Sequence, residues 1–311
     1  MRIDPMRGAR RGGRRGMGFG GMRVVILLLF GAYAAWQWFA SAQTDPYTGE
    51  TARYGASPTE EVQLGAQAFQ QVLGDASAQG ALLPPDAEVS RQIREIAARL
   101  VERVPEVTAA LAETNQQQAP DFHREFQWDV AVIQSDDANA FCLPGGKMAV
   151  YTGLLPVAQN QDAMAVIMGH EIAHALLRHG SQRMAQQKLV QMGQLAAGVA
   201  LGGMDPGQQQ AIMAAMGAGA QYGFILPYGR NHETQADRVG LMLAAAACYN
   251  PHEAVPLWER MGQLGGGARQ PEFASTHPDP ANRQQVLQSL MPQAEEFYRT
   301  YCPGAAPVAA R

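Results

Sequence analysis

Two segments after residue 56 have sequence features that predict helices. A helix should begin near Asp86, because the apolar positions that follow are separated by four, three and four residues and so share one face. These positions are Val89, Ile93, Ile96 and Leu100. An earlier helix should run from Ser57 to about Leu73, since the sequence Ser-Pro-Thr-Glu at 57–60 is a capping box with proline at the first helical position.

The pattern changes in the middle of the chain. Residues 126–133 are apolar and β-branched and predict a strand, and a second extended segment, Lys147–Thr152, follows the turn sequence Pro-Gly-Gly at 144–146. The segment Gln161–His179 has helical spacing again. Further helices are predicted near residues 233–247, 252–264 and 282–301. We therefore predict an α+β protein that is mainly α-helical, with a small β-sheet.

The first forty residues have the pattern of an export segment. Residues 24–42 carry no charge, and nineteen residues at about 1.5 Å each nearly match a bilayer core of about 30 Å. Arginines precede this run, so the positive-inside rule places the N-terminus in the cytoplasm. A cleaved signal peptide is the alternative, because Ala-Ser-Ala at 40–42 has the form of a cleavage site. Both interpretations export the rest of the chain.

Charge is distributed unevenly along the chain. Residues 1–23 hold seven arginines and one acidic residue, so the remainder carries a net charge of −10 although the whole chain carries only −4. An acidic body argues against nucleic acid as a partner, because phosphate binding needs clustered lysine and arginine.

Three cysteines are too few for a disulfide framework. A bridge between Cys248 and Cys302 is possible in an exported body, and three buried thiols are the alternative. Cys142 has apolar neighbours and no evident base, which favours a packing role.

The sequence His-Glu-Ile-Ala-His at 170–174 is the centre of the predicted chemistry. Four residues on a helix turn through about 400°, so His170 and His174 emerge on one side within reach of a single ion. Two imidazoles suit Zn²⁺ with a third protein ligand and an open fourth position. Glu171 can face a water on such an ion.

The third ligand is predicted further along the chain. Glu233 opens a predicted helix, and Asp237 lies one turn later on the same face, where it could accept the free N–H of a ligating histidine. His179 lies about 140° from the ligand face if the helix continues, and we expect it to be an exposed helix-end residue. A metzincin site is excluded, because that class needs glycine and histidine where Leu177 and Gly180 stand.

Several motifs in order resemble the gluzincin peptidases typified by the CAAX prenyl protease. This zinc metallopeptidase family includes the heat-shock protease HtpX, mitochondrial quality-control peptidases and bacterial periplasmic peptidases. The resemblance rests on Asn-Ala-Phe at 139–141, Pro-Gly-Gly at 144–146, Tyr-Thr-Gly at 151–153, the 170–174 motif, Glu233 with Asp237, and Thr-His-Pro at 276–278. The resemblance implies a zincin-like fold. Within the family, the sequence resembles most closely the bacterial members that have a single anchor and a soluble body.

The resemblance implies one Zn²⁺ per chain, held by His170, His174 and Glu233, with Glu171 as the general base. His277 and Arg283 match a histidine and an arginine that lie near the metal in the family. In some periplasmic members the matching histidine occupies the open metal position and keeps the enzyme latent. His277 is therefore either an oxyanion donor or a lock.

Substrate binding is predicted beside the metal. The second extended segment would be an edge strand that takes a peptide as an added strand. The resemblance places Asn139, Phe141, Gly145 and Gly146 at this substrate edge.

These observations predict a zinc-dependent metalloendopeptidase that degrades misfolded envelope proteins. The alternative is a largely latent assembly factor that binds envelope clients while His277 blocks the zinc. We expect a single-pass protein of the bacterial inner membrane with a periplasmic catalytic domain, or a soluble periplasmic protein after signal cleavage. The predicted divisions are a basic tail at 1–23, an anchor or signal peptide at 24–42, a linker at 43–56, an N-terminal helical part at 57–120, a catalytic domain at 121–303 and a flexible tail at 304–311.

Overall fold

The computed structural model describes residues 19–201, 205–208, 210–211, 214, 226–264, 273, 277, 282–305 and 308. Most of the predicted basic tail at 1–23 and part of the predicted tail at 304–311 lie outside these residues.

Helices dominate the described part of the chain. They are α1 (Phe19–Ala40), α2 (Pro58–Ala78), α3 (Glu88–Glu102), α4 (Val104–Thr114), α5 (Leu155–Ala158), α6 (Gln161–Leu176), α7 (His179–Leu201), α8 (Leu226–Ala246), α9 (Ala254–Leu264) and α10 (Arg283–Tyr301). The strands are β1 (Gln43–Thr44), β2 (Thr51–Ala52), β3 (Asp129–Ile133), β4 (Ala140–Leu143) and β5 (Lys147–Tyr151). The prediction of an α+β protein that is mainly helical is confirmed.

The capping box at the start of α2 forms as the sequence indicates. The Glu60 N–H donates to the Ser57 hydroxyl oxygen, and the Ser57 N–H donates to the Glu60 carboxylate at 2.8 Å. Both bonds satisfy donors that the first helical turn leaves without partners. The helix continues to Ala78, five residues beyond the predicted end.

The segment before α2 forms an ordered strap of residues 43–56. The buried Asp45 carboxylate accepts hydrogen bonds from the Tyr47 and Thr48 N–H groups and from the hydroxyls of Thr48 and Tyr54. The short strands β1 and β2 pair antiparallel on either side of this turn. The strap then reaches α7, because the Gly55 N–H donates to the Ser181 carbonyl.

The central sheet has the order β3-β5-β4, with β3 parallel and β4 antiparallel to β5. The prediction that the segment Lys147–Thr152 forms the substrate edge is therefore wrong, since β5 is the middle strand of the three. It has a partner on each side because β4 folds back from it through the Pro-Gly-Gly turn. The edge strands are β3 and β4, and β4 packs against α6.

A close crossing of α6 and α8 forms the middle of the core. Gly169 on α6 faces Gly240 on α8, and a Cβ atom added at Gly240 would lie 2.6 Å from the backbone nitrogen of His170. Only glycine permits this approach. The crossing brings the helix that carries the first two candidate ligands against the helix that carries Glu233 and Asp237.

The end of α8 is covalently joined to the end of α10. Cys248 and Cys302 form a disulfide with their Cα atoms 5.7 Å apart, which decides between the two alternatives that the sequence left open. Cys142 is the free thiol among the described residues, and it is partly buried. Burial raises the pKa of this thiol, which is consistent with a packing role.

The predicted membrane anchor at residues 24–42 coincides with most of α1. This helix packs against α7, and the Arg53 side chain fixes its C-terminal end by donating to the Trp38 carbonyl at 2.8 Å and stacking on the Trp38 ring. Within the described ranges, no helix combines the length and the apolar character that a membrane span needs. The prediction of a transmembrane anchor is not supported.

Candidate metal centre

The two histidines of the 170–174 motif lie on one side of α6, as the spacing predicts. This helix begins at Asn160, whose side chain accepts the Ala163 N–H and caps the first turn. The Nε2 atoms of His170 and His174 are 3.0 Å apart. His170 is buried and His174 is partly buried, and burial lowers the pKa of His174, which favours the neutral form that binds metal.

Glu233 reaches the same point from α8. Its carboxylate lies 3.2 Å from Nε2 of His170 and 3.5 Å from Nε2 of His174, and the side chain is buried. Burial alone would raise the pKa of Glu233, but the hydrogen bonds from His170 and His277 outweigh it and hold the pKa well below its usual range. An ionised carboxylate therefore faces the two imidazoles.

His277 brings a fourth ligand atom to the group. Its Nδ1 lies 3.3 Å from Nε2 of His170 and 3.1 Å from the Glu233 carboxylate. The four candidate ligand atoms all lie within 4.8 Å of one another. A tetrahedral zinc with bonds of about 2.0–2.1 Å separates its ligands by about 3.3 Å, so the spacing of this set fits the ion.

The charge of the site also favours a cation at its centre. Burial alone would lower the pKa of His170, but its hydrogen bonds to Asp237 and Glu233 outweigh this effect and raise the pKa to about 9. A ligand set that draws a positive charge this strongly, and that contains only nitrogen and carboxylate oxygen donors, suits Zn²⁺.

Asp237 and Arg283 lie behind the candidate ligands. The Asp237 carboxylate lies 2.9 Å from Nδ1 of His170, in the position predicted for a partner that orients the ring. Arg283 donates to the same carboxylate at 2.6 Å and stacks on Trp258 with its guanidinium carbon 3.2 Å from the ring centre. Arg283 therefore contacts Asp237. It is not among the described residues that line the neighbouring cleft, into which Glu171 points.

Glu171 points into a cleft beside the ligand set. Its Oε1 atom is buried without a hydrogen-bond partner among the described residues, and it lies 3.4 Å from Nε2 of His277. Burial is the main cause that raises the pKa of this carboxyl. An unpaired buried carboxylate oxygen beside a metal site is placed to accept a proton from water.

The cleft has a volume of about 420 Å³ and runs along the edge strand β4. Asn139 and Phe141 line it together with Glu171. The predicted pair Gly145 and Gly146 is not part of this lining. These glycines make the turn between β4 and β5 with φ angles of +80° and +83°, a left-handed conformation that other residues rarely adopt.

His179 is a site residue that the sequence prediction missed. The chain leaves α6 at Leu177, and Arg178 adopts a left-handed conformation with a φ of +55° before α7 begins. The break turns His179 back onto the candidate ligands, so its Nδ1 lies 2.9 Å from Nδ1 of His174. The prediction of an exposed histidine is wrong, because it assumed that the helix continues through His179, whereas the break comes at Arg178.

Comparison with known proteins agrees with this geometry. The family model of Peptidase family M48 matches residues 98–291. The mitochondrial metalloendopeptidase OMA1 of Schizosaccharomyces pombe is 35% identical over 175 residues, which cover 55% of this chain and 49% of that protein. The OMA1 metalloendopeptidase of Danio rerio is 31% identical over 85% of this chain and 54% of its own length. The β-barrel assembly-enhancing protease of Escherichia coli is 27% identical over 83% of this chain and 51% of its own length.

The chain thus spans about half the length of these three relatives. The resemblance to the gluzincin family of quality-control peptidases and the prediction of a metallopeptidase are confirmed.

The predicted location in the bacterial inner membrane or periplasm is wrong. Relatives that are 35% and 31% identical to this chain are mitochondrial proteins of eukaryotes, and the described residues contain no helix that could span a membrane. The prediction relied on the uncharged run at 24–42. Most of that run forms α1, which contacts α7 and Arg53 while its large apolar side chains, such as Leu28, Trp36 and Phe39, stay exposed.

Proposed function

Because the chain belongs to peptidase family M48, we propose that it is a zinc-dependent endopeptidase that cleaves peptide bonds within protein substrates. One observation carries this proposal: four candidate ligand atoms lie within 4.8 Å of one another beside a cleft into which Glu171 projects. His170, His174 and Glu233 would hold one Zn²⁺ per chain. Bound zinc supplies Lewis acidity toward water and toward a carbonyl oxygen.

Glu171 is the general base in this proposal. Its raised pKa brings the carboxyl closer to neutral pH, where a group can both accept a proton from water and return it to a leaving amine. Asp237 holds the His170 ring through Nδ1 and leaves Nε2 free for the metal. Arg283 supports the reaction by fixing Asp237, at a distance from the substrate cleft.

The edge strand β4 is the proposed substrate-binding element. The Tyr151 N–H donates to the Asn139 carbonyl, so Ala140 and Cys142, which alternate with the bonded positions, direct their backbone groups away from β5. A hydrogen bond from the Cys142 backbone to Glu171 agrees with this direction. An extended peptide paired with Ala140 and Cys142 would pass directly beside the proposed base.

The proposed substrates are unfolded or misassembled proteins. Pairing with an edge strand requires a segment whose own backbone groups are free, and folded proteins seldom offer one. The Escherichia coli relative is named for enhancing β-barrel assembly, and unassembled strands present such segments.

A latent state is the second proposal, and His277 favours it. Its Nδ1 completes a four-coordinate set, whereas a catalytic zinc site keeps one position open. In this form the chain would bind clients without cleaving them.

Cleavage of casein by the full chain with zinc tests the proposal, with Glu171→Gln as the matched variant. The two side chains have the same shape, but the amide cannot act as a base. We expect cleavage by the parent, a loss of about 10²–10⁴-fold in the variant, and equal zinc content in both. Equal cleavage by both proteins would overturn the assignment of Glu171. Zinc binding without cleavage by the parent would favour the latent form.

A further inference from the structure

A chain of hydrogen bonds runs from His174 to the N-terminal strap. Nδ1 of His174 lies 2.9 Å from Nδ1 of His179, and Nε2 of His179 lies 3.0 Å from Oε1 of Gln235. The Gln235 amide nitrogen in turn donates to the Glu50 carboxylate at 2.8 Å. His179 is 1% exposed and stacks on His232, with the ring centres 4.1 Å apart.

The position of each proton in this series of hydrogen bonds follows from the end at Glu50. The Glu50 carboxylate only accepts hydrogen bonds, so the Gln235 atom that faces it is the amide nitrogen and Oε1 must face His179. A carbonyl oxygen needs a donor, which places the His179 proton on Nε2. Nδ1 of a neutral His179 then carries a lone pair and can only accept.

The same arrangement is required from the metal side. A metal bound at Nε2 of His174 would leave the ring proton on Nδ1, which then donates to Nδ1 of His179 at 2.9 Å. A neutral His174 with its proton on Nδ1 has a bare Nε2, which is the atom that faces His170 and Glu233. Both ends of the chain therefore specify one tautomer of His174.

We propose that His179 is a positioning residue that fixes the ring orientation and the metal-binding tautomer of His174, and that Gln235 and Glu50 fix His179 in turn. The two imidazole ligands on α6 then have different partners on their outer nitrogens. Asp237 orients His170, whereas a neutral imidazole orients His174. The proposal also gives the strap a role, since Glu50 lies on it while Gln235 lies on α8.

This inference rests on the proposed zinc site. Two variants of His179 whose new side chains have nearly equal size test it in the full chain. His179→Asn keeps an acceptor, because its side-chain oxygen can occupy the place of Nδ1, whereas His179→Leu has none. We expect the leucine variant to bind zinc 10–100-fold more weakly in competition with a chromophoric chelator, as removal of such partners generally does. The asparagine variant should recover most of this loss. Equal zinc affinity in the two variants would overturn the proposal.

Gln235→Leu provides a second measurement at another residue, should the leucine at 179 prevent folding. Without the Gln235 oxygen, the His179 proton can move to Nδ1 and oppose the proton on His174, so we expect zinc affinity to fall roughly tenfold. Asn231→Ala is the matched control, because exposed Asn231 donates to the same Glu50 oxygen but does not contact His179. An unchanged affinity in Gln235→Leu, or an equal loss in Asn231→Ala, would contradict the proposed chain.

Zinc affinity is measured independently of turnover, so the inference can fail separately from the proposed function. Thermal unfolding of each variant with excess chelator separates a positioning role from a purely structural one. We expect the leucine and asparagine variants at 179 to unfold at the same temperature under these conditions while their zinc affinities differ. If the two variants also differed in unfolding temperature with excess chelator, and their zinc affinities differed in the same direction, the positioning role would be overturned.

Discussion

Nε2 of His277 lies 3.4 Å from Oε1 of Glu171, while Nδ1 of the same ring lies in the candidate ligand set. One imidazole therefore stands between the proposed base and the proposed metal. In the proposed mechanism, the water that Glu171 would activate would need the fourth ligand position. The ring of His277 takes that place here, so the proposed catalysis would require His277 to move.

Replacing His277 with alanine should therefore accelerate casein cleavage and weaken zinc binding. The variant opens the fourth position but loses one of four donors, and we expect zinc affinity to fall about tenfold or more. Cleavage is measured at saturating zinc so that the two effects are separated. His252→Ala is the control, because His252 pairs with Glu295 away from the site and should leave both quantities unchanged. A slower rate for His277→Ala at saturating zinc would identify His277 as an oxyanion donor instead of a lock.

The spacing of site residues within each helix could be predicted from the sequence because it is local. The positions of His170 and His174 follow from the helical repeat, as do those of Glu233 and Asp237, and each pair lies on one uninterrupted helix. The central strand Lys147–Tyr151 was predicted as a strand but given the wrong place in the sheet. The order of strands depends on long-range pairing, which the pattern of a single segment does not contain.

The position of His179 could not be predicted for a related reason. The direction of a side chain after a helix break depends on the backbone angles at the break, and Arg178 has no intrinsic preference for the left-handed region. Tertiary contacts stabilise that conformation. The Arg178 guanidinium donates to Glu61 at 2.9 Å and to the Ala56 carbonyl at 2.8 Å, both of which lie far away in the sequence.

Replacing Asp237 with asparagine should weaken zinc binding and destabilise the protein. His170 and Arg283 share Oδ1 of Asp237, which the amide keeps, but the loss of charge weakens the bond to His170 and leaves a buried guanidinium without its charged partner. We expect zinc affinity to fall 10–100-fold and the free energy of unfolding to fall by about 3 kcal/mol. Chelator competition and urea unfolding measure the two quantities.

Asp75→Asn makes the same chemical change on the exposed face of α2 and should alter neither quantity. If Asp237→Asn kept the parent's zinc affinity, the negative charge of Asp237 would not be needed at the metal site.

Replacing Gly240 with alanine should separate α6 from α8. The added Cβ would lie 2.6 Å from the backbone nitrogen of His170, and backbone cannot move away as a flexible side chain could. We expect the free energy of unfolding to fall by about 1–3 kcal/mol and zinc affinity to fall with it, because Glu233 and His170 lie on the two separated helices.

Gly262→Ala is the matched control on α9. A Cβ there has no heavy atom of the described residues within 4 Å, so helix propensity alone should raise stability by up to about 1 kcal/mol. If Gly240→Ala had the same free energy of unfolding as the parent, the close crossing would not be required.

Replacing both Cys248 and Cys302 with serine should lower stability without weakening the metal site. The bridge closes a loop with a sequence separation of 54, for which chain entropy predicts a loss of about 4 kcal/mol. Glu233 lies fifteen residues before Cys248, a distance of roughly 22 Å along a helix at 1.5 Å per residue.

Urea unfolding of the non-reduced proteins should reveal the loss, whereas zinc affinity at low urea should equal that of the parent. Cys142→Ser, which removes the free thiol, controls for the loss of sulfur. A parallel fall in zinc affinity in the double variant would mean that the bridge also supports the metal site through the packing of α10 on α8.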